Sequence, residues 1–169
     1  GIGADAVYGG NDDDVIIGSE DSANDLYDGG SGSDTIDYSA VTANITLTTG
    51  SSVVSAGNTI GTDTLAGIEV FKSGSGNDVL GSGTAAMTIY GYHGADTITG
   101  GTGNDVLYGG DSWNATATTD DAANILSGGA GADTLYAGSA GDTLRGGSGN
   151  DTMYGGAGND TLDYASSGV

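Results

Sequence analysis

The sequence predicts an all-β protein, a parallel β-roll (a β-helix or solenoid) of very short strands, and three observations carry that prediction. Glycine supplies 35 of 169 residues, far above the roughly 7% of an ordinary chain. The acids are nearly all aspartate, with Glu20 and Glu69 the two glutamates among 23 acidic residues. Glycine, aspartate and an apolar residue also recur in a fixed nine-residue phase, Gly-Gly-x-Gly-x-Asp-x-apolar-x. Glycine loses the most backbone freedom on folding, so this much of it serves either close-packed turns or disorder. The phase selects turns, because disorder has no reason to keep an apolar residue two positions after each aspartate.

In chain order, residues 1–37 form a first block of repeats. GIGADAVY enters the motif at its second position and GGNDDDVII follows (Gly9 to Ile17). A variant with two extra residues ends in Asn24-Asp25-Leu26-Tyr27, and GGSGSDTID closes the block (Gly29 to Asp37). Residues 38–72 carry no nonapeptide. Within them Asn44 to Thr49 and Ser52 to Ser55 alternate or cluster β-branched residues as short strands do. Leu65, Ile68, Val70 and Phe71 are placed to cover the open end of one roll and lead into the next. The expectation for 38–72 is an inserted β bridge or cap.

Residues 73–163 form a second block. It opens with SGSGNDVLG, continues with SGTAAMTIY, where Met87 replaces the aspartate, and then reads GYHGADTIT and GGTGNDVLY. A loop insertion at 111–123, containing Trp113 and Asp120-Asp121, interrupts the next repeat. GGAGADTLY, AGSAGDTLR, GGSGNDTMY and GGAGNDTLD then run without a break to Asp163. Residues 164–169 read as the start of a following segment, since Asp163-Tyr164 repeats Asp37-Tyr38. With the entry in mid-motif, the sequence reads as an excerpt of a longer modular protein.

Two nonapeptides make one coil, so repeats eighteen residues apart stack at the interstrand distance of about 4.8 Å. Stacked turns leave rows of unpaired carbonyls, and stacked aspartates repel. A hard cation between the turns answers both, and Ca²⁺, with six to eight oxygen ligands and tolerant geometry, fits better than Mg²⁺. The candidate calcium ligands are Asp5, Asp14, Asp25, Asp34, Asp78, Asp96, Asp105, Asp133, Asp142, Asp151 and Asp160. Backbone carbonyls of Gly10, Gly30, Gly32, Gly74, Gly76, Gly101, Gly103, Gly129, Gly131, Gly147, Gly149, Gly156 and Gly158 complete the set. The spacing pairs Asp14 with Asp34, Asp78 with Asp96, Asp105 with Asp133, Asp133 with Asp151, and Asp142 with Asp160. At Met87 a site shared with Asp105 is expected to be weak or absent. Asp63 and Glu69 stay unassigned, and Asp12, Asp13, Asp21, Asp28, Asp111, Asp120 and Asp121 read as solvated loop charge.

These residues resemble the RTX, or hemolysin-type calcium-binding, nonapeptide repeat, over most of 1–37 and 73–163. The resemblance implies export by type I secretion, with folding in the higher calcium outside the cell. It fixes no single activity, because such modules serve toxins, proteases, lipases, adhesins and surface-layer proteins.

Composition narrows the rest. The net charge is −21, with Lys72 and Arg145 the only basic residues, which disfavours nucleic acid and anionic membrane as partners. There is no cysteine, hence no disulfide framework or thiolate site. No apolar run approaches a membrane span, and Gly1 to Asp5 lack the pattern of a signal peptide. His93, the one histidine, reads as an exposed turn residue. With so few basic groups no catalytic constellation assembles, so the chain is read as not an enzyme. The tyrosines that close the repeats, Tyr90 with Tyr108 and Tyr136 with Tyr154, are expected to stack on an outer face. Further copies of the chain or cell-surface polysaccharide are the alternative partners for that row. The functional expectation is an extracellular calcium-binding structural module of a secreted or cell-surface bacterial protein, of surface-layer, matrix-filament or adhesin type. The alternative is the calcium-triggered folding and secretion module of an enzyme or toxin whose catalytic domain lies elsewhere.

Overall fold

The computed structural model describes residues 2–18, 20–48, 60–111 and 122–164, and the main chain of 53–55. Among these residues there are strands and no helix. In chain order the strands are β1 (Ala6–Asn11), β2 (Val15–Ile17), β3 (Leu26–Ser31), β4 (Thr35–Asp37), β5 (Thr46–Thr48), β6 (Val53–Ser55), β7 (Thr62–Ala66), β8 (Val70–Lys72) and β9 (Val79–Gly81). They continue with β10 (Thr88–Tyr90), β11 (Thr97–Gly101), β12 (Val106–Tyr108), β13 (Ile125–Ala130), β14 (Thr134–Gly138), β15 (Thr143–Ser148), β16 (Thr152–Gly156) and β17 (Thr161–Asp163). Each nonapeptide contributes one strand, and successive nonapeptide strands alternate between two sheets, whereas β5, β6 and β7 all lie in one.

One sheet runs β1-β3-β7-β6-β5-β9-β11-β13-β15-β17 and the other β16-β14-β12-β10-β8-β4-β2. Neighbours are parallel and in register, so that Leu107 lies opposite Ile89 on one side and Leu135 on the other. The register survives every change of spacing. Thr134 pairs with Val106 across the long insertion, and Thr35 pairs with Val15 across the two-residue one. The exception to parallel pairing is β6, which runs antiparallel to both β5 and β7.

Because side chains alternate along a strand, the middle residue of each short strand points inward. Ile16, Ile36, Phe71, Ile89, Leu107, Leu135 and Met153 follow one another in the seven-stranded sheet, and Leu80, Ile98, Leu126 and Leu144 in the ten-stranded sheet. All are buried in one core. The core is therefore narrow, about one apolar side chain per strand.

Segment 38–72 is woven into both sheets. β8 lies between β4 and β10, and β7 pairs with β3. Leu65 and Phe71 accordingly continue the core rows instead of covering an open end, while Val70 lies on the outward side of its strand and is only half-buried. The turn before β8 keeps the register that a cap would have ended. Tyr38, Val41, Ile45 and Ile60 are fully buried in the same core, and Tyr38 packs against Tyr27 and Phe71.

Candidate calcium-binding turns

The motif aspartate ends each turn, immediately before its strand, and its side chain reaches along the stack. The amide of Asp105 donates to Oδ1 of Asp133 at 2.8 Å, and the amide of Asp133 donates to Oδ1 of Asp151 at 3.1 Å. Asp14 to Asp34, Asp78 to Asp96, and Asp142 to Asp160 repeat the bond at 2.8, 2.8 and 3.0 Å. Every pair expected from the stacking of alternate repeats is thus in direct contact, whether eighteen residues apart or, across an insertion, twenty or twenty-eight, and Asp5 joins Asp25 in the same way. The residue before the aspartate makes the opposite bond, as where Ala132 N–H donates back to Asn104 Oδ1 and Ala95 N–H to Asn77 Oδ1. Each turn is therefore laced to the coil on either side.

One carboxylate oxygen is spent on this ladder. The other, Oδ2, is buried without a hydrogen-bond partner in Asp14, Asp34, Asp105 and Asp133. In Asp14, Asp105 and Asp133 it lies against the first glycine of its own repeat, where the first-glycine carbonyl of the next coil also points. A Cβ at Gly100 would touch both Asp105 Oδ2 and Gly128 O, and one at Gly128 would touch both Asp133 Oδ2 and Gly146 O. The glycine keeps open a space lined by oxygen. Carbonyls of the second and fourth motif glycines also face the next coil: Gly101 O faces Gly129, Gly129 O faces Gly147, Gly103 O faces Gly131, Gly131 O faces Gly149, Gly76 O faces Gly94 and Gly10 O faces Gly30. Gly74 O accepts an amide hydrogen from His93. Among the described residues no three acidic or histidine side chains converge. A cation held here therefore takes most of its oxygens from the main chain, and the donor set of single carboxylates and carbonyls suits calcium.

Burial holds the carboxyls of Asp105, Asp133 and Asp78 above their ordinary range, against the lowering effect of hydrogen bonds from neighbouring amides. At Asp105 and Asp133 the next carboxylate in the stack adds to the rise. A positive charge between the turns would reverse both contributions.

The aspartates are not all alike. Asp25 Oδ2 accepts the hydroxyl of Tyr27 at 2.9 Å, and Asp78 Oδ2 accepts the hydroxyl of Ser73, which stands where other repeats have their first glycine. Three further residues occupy the column. Asp63 accepts the Asp25 amide at 2.9 Å and the Tyr38 hydroxyl at 2.7 Å, and burial raises its pKa. Glu69 accepts the Asp34 amide at 2.9 Å, and Asn124 accepts that of Asp96 at 2.8 Å. Each is followed two residues on by an apolar side chain, Leu65, Phe71 or Leu126, and that offset is the signal that locates them. At Met87 the amide still bonds to Asp105 Oδ1, but the side chain joins the core and supplies no oxygen.

Outside the turns, Tyr90, Tyr108, Tyr136 and Tyr154 form one continuous ladder rather than two pairs. Ring centroids are 4.5, 4.8 and 4.8 Å apart and the planes within 6° of parallel. His93 is half-buried, not exposed, with a buried Nδ1. Asp13 and Asp21 are tied to the amides of Ser33 and Ala23. Trp113, Asp120 and Asp121 lie outside the described residues.

The model of the RTX calcium-binding nonapeptide repeat matches residues 1–36, 88–115, 118–144 and 136–166, together more than half of the chain. No match to a curated protein was found. Repeats of this kind bind multiple Ca²⁺ ions and occur in secreted bacterial proteins. Among the described residues no helix is long and apolar enough to cross a membrane.

Proposed function

The chain belongs to the RTX calcium-binding nonapeptide-repeat family, and on that premise we propose that it is a structural module of a large secreted or cell-surface bacterial protein, of surface-layer, matrix-filament or adhesin type, which folds when calcium binds outside the cell. The observation that carries this reading is the row of buried Oδ2 atoms, which at Asp14, Asp105 and Asp133 share the space at a glycine with a glycine carbonyl of the next coil. Calcium would supply the positive charge that lets neighbouring carboxylates stack. The ligands are the motif aspartates with an open outer oxygen, together with the turn carbonyls of the second and fourth glycines.

Binding here serves rigidity and not catalysis. The family fold is a structural calcium-binding domain, and one histidine with two basic residues offers little to activate a nucleophile. The tyrosine ladder supports a structural reading too, because the faces between successive rings are covered by one another. The test is far-ultraviolet circular dichroism during a calcium titration. The expected result is a coil-to-β transition reversed by EDTA, with a midpoint of about 10⁻⁴ to 10⁻³ M as in other extracellular calcium modules. A chain equally folded in excess EDTA would refute it.

A further inference from the structure

We propose a calcium site outside the nonapeptide pattern, built from Asp34 and Glu69 where the first repeats meet the bridging segment. It rests on the calcium reading above but uses a residue that no repeat contains. Asp34 is fully buried and its Oδ2 has no partner, while its amide donates to Glu69 Oε2 at 2.9 Å. Its surroundings copy those of a repeat. A Cβ at Gly29 would overlap Cβ and Cγ of Asp34 and the carbonyl of Gly67, much as one at Gly100 meets the Asp105 side chain and the carbonyl of Gly128. Gly67 thus stands in for the first glycine of a repeat, and the carbonyl of Gly30 lies against it.

What differs is the length of the turn. Gly67-Ile68-Glu69 takes the place of the six residues from Gly29 to Asp34. The shorter turn brings fewer carbonyls, while Glu69 and Val70 N–H both donate to the Asp34 carbonyl and the glutamate side chain reaches the column to accept the Asp34 amide. The neighbouring positions make the contrast. Asp25, Asp63 and Asp78 have their outer oxygens taken by the hydroxyls of Tyr27, Tyr38 and Ser73, but no hydroxyl reaches Asp34 Oδ2. Two carboxylates and two carbonyls form a hard, all-oxygen donor set, which calcium completes with water.

The test is calcium stoichiometry by native mass spectrometry for the wild type, Glu69→Gln and Asp133→Asn. Glutamine keeps an oxygen for the Asp34 amide and removes the charge. The expected outcome is one ion fewer for Glu69→Gln, with an unchanged far-ultraviolet spectrum in saturating calcium. The same count and affinity as wild type would overturn the site. Wild type binding no calcium would overturn the calcium reading itself, while loss of calcium from Asp133→Asn alone would leave that reading standing and remove this one. A second measurement needs no variant: Mn²⁺, which favours carboxylate and carbonyl ligands, should broaden the amide signals of Gly67 and Glu69 in wild-type spectra. If those signals stay sharp when those of Gly128 to Asp133 are broadened, the site does not exist.

Discussion

The inner repeats bury an apolar side chain and a carboxylate, as with Leu107 and Asp105, and their contributions oppose each other. Burying Leu107 stabilises the fold by about 1.5–3 kcal/mol, whereas an uncompensated buried carboxylate costs several kcal/mol. Asp105 and Leu107 are both essentially inaccessible, so the carboxylate decides the outcome unless it is neutralised or hydrogen-bonded. Where a hydroxyl does this, its removal should be felt even in saturating calcium. Tyr38→Phe leaves Asp63 Oδ2 without its donor and is expected to lower stability by about 1–3 kcal/mol in urea denaturation with calcium present. A change below a few tenths of a kcal/mol would show that the hydroxyl is not a needed partner. At this scale the repeat aspartates were legible because glycines frame them. Asp63, Glu69 and Asn124 were less so, because the residues just before them lack that frame: the apolar residue two positions on is their one mark in the sequence, and the ladder of amide bonds fixes their place.

Among the elements, the turns carry more constraint than the strands. Gly149 has φ +130° and a Cβ there would overlap the Gly131 carbonyl, whereas Gly10, at φ +113°, has open space around it. Both alanine variants face a strained backbone costing about 1–3 kcal/mol, but Gly149→Ala adds a collision with the neighbouring coil. It should raise the calcium midpoint for folding more than Gly10→Ala does, and equal midpoints would mean that the turns relax freely. The tyrosine ladder is a milder element, worth about 0.5–1.5 kcal/mol per ring pair. Tyr108→Ala removes two of the three stacked contacts and is expected to weaken near-ultraviolet exciton coupling, leaving that of Tyr136 with Tyr154, while the far-ultraviolet spectrum persists. The strands and their inward residues could be read from the nine-residue phase. The reversed β6 could not: it pairs with its sequence neighbours β5 and β7, but residues 38–72 carry no nonapeptide phase that fixes the direction of a strand.

For the whole molecule, calcium and protons act on the same carboxylates in opposite senses. Burial raises the folded-state pKa values of Asp63, Asp78, Asp105 and Asp133, so the cation-free fold holds their protons more tightly than the unfolded chain does. The stability this gives is complete below the unfolded value of about 3.9 and is lost as pH rises through the folded values. In EDTA, acidification from neutral to about pH 5 should increase the β signal, while in calcium the same change should raise the midpoint concentration. A β signal in EDTA that falls on acidification would contradict the burial argument.

The pairing of Val106 with Thr134 across the insertion has a consequence for how such a molecule diversifies. β12 and β13, on either side of the insertion, lie in different sheets, yet β12 stacks on β14 and β13 on β11 in register, so the roll fixes both ends of any intervening sequence whatever its length, and a longer loop adds only a slowly growing closure entropy. The roll is in that sense a rack with a standard fitting. New recognition sequence can be mounted at the edge between β12 and β13 without altering the length of the body or the order of its layers.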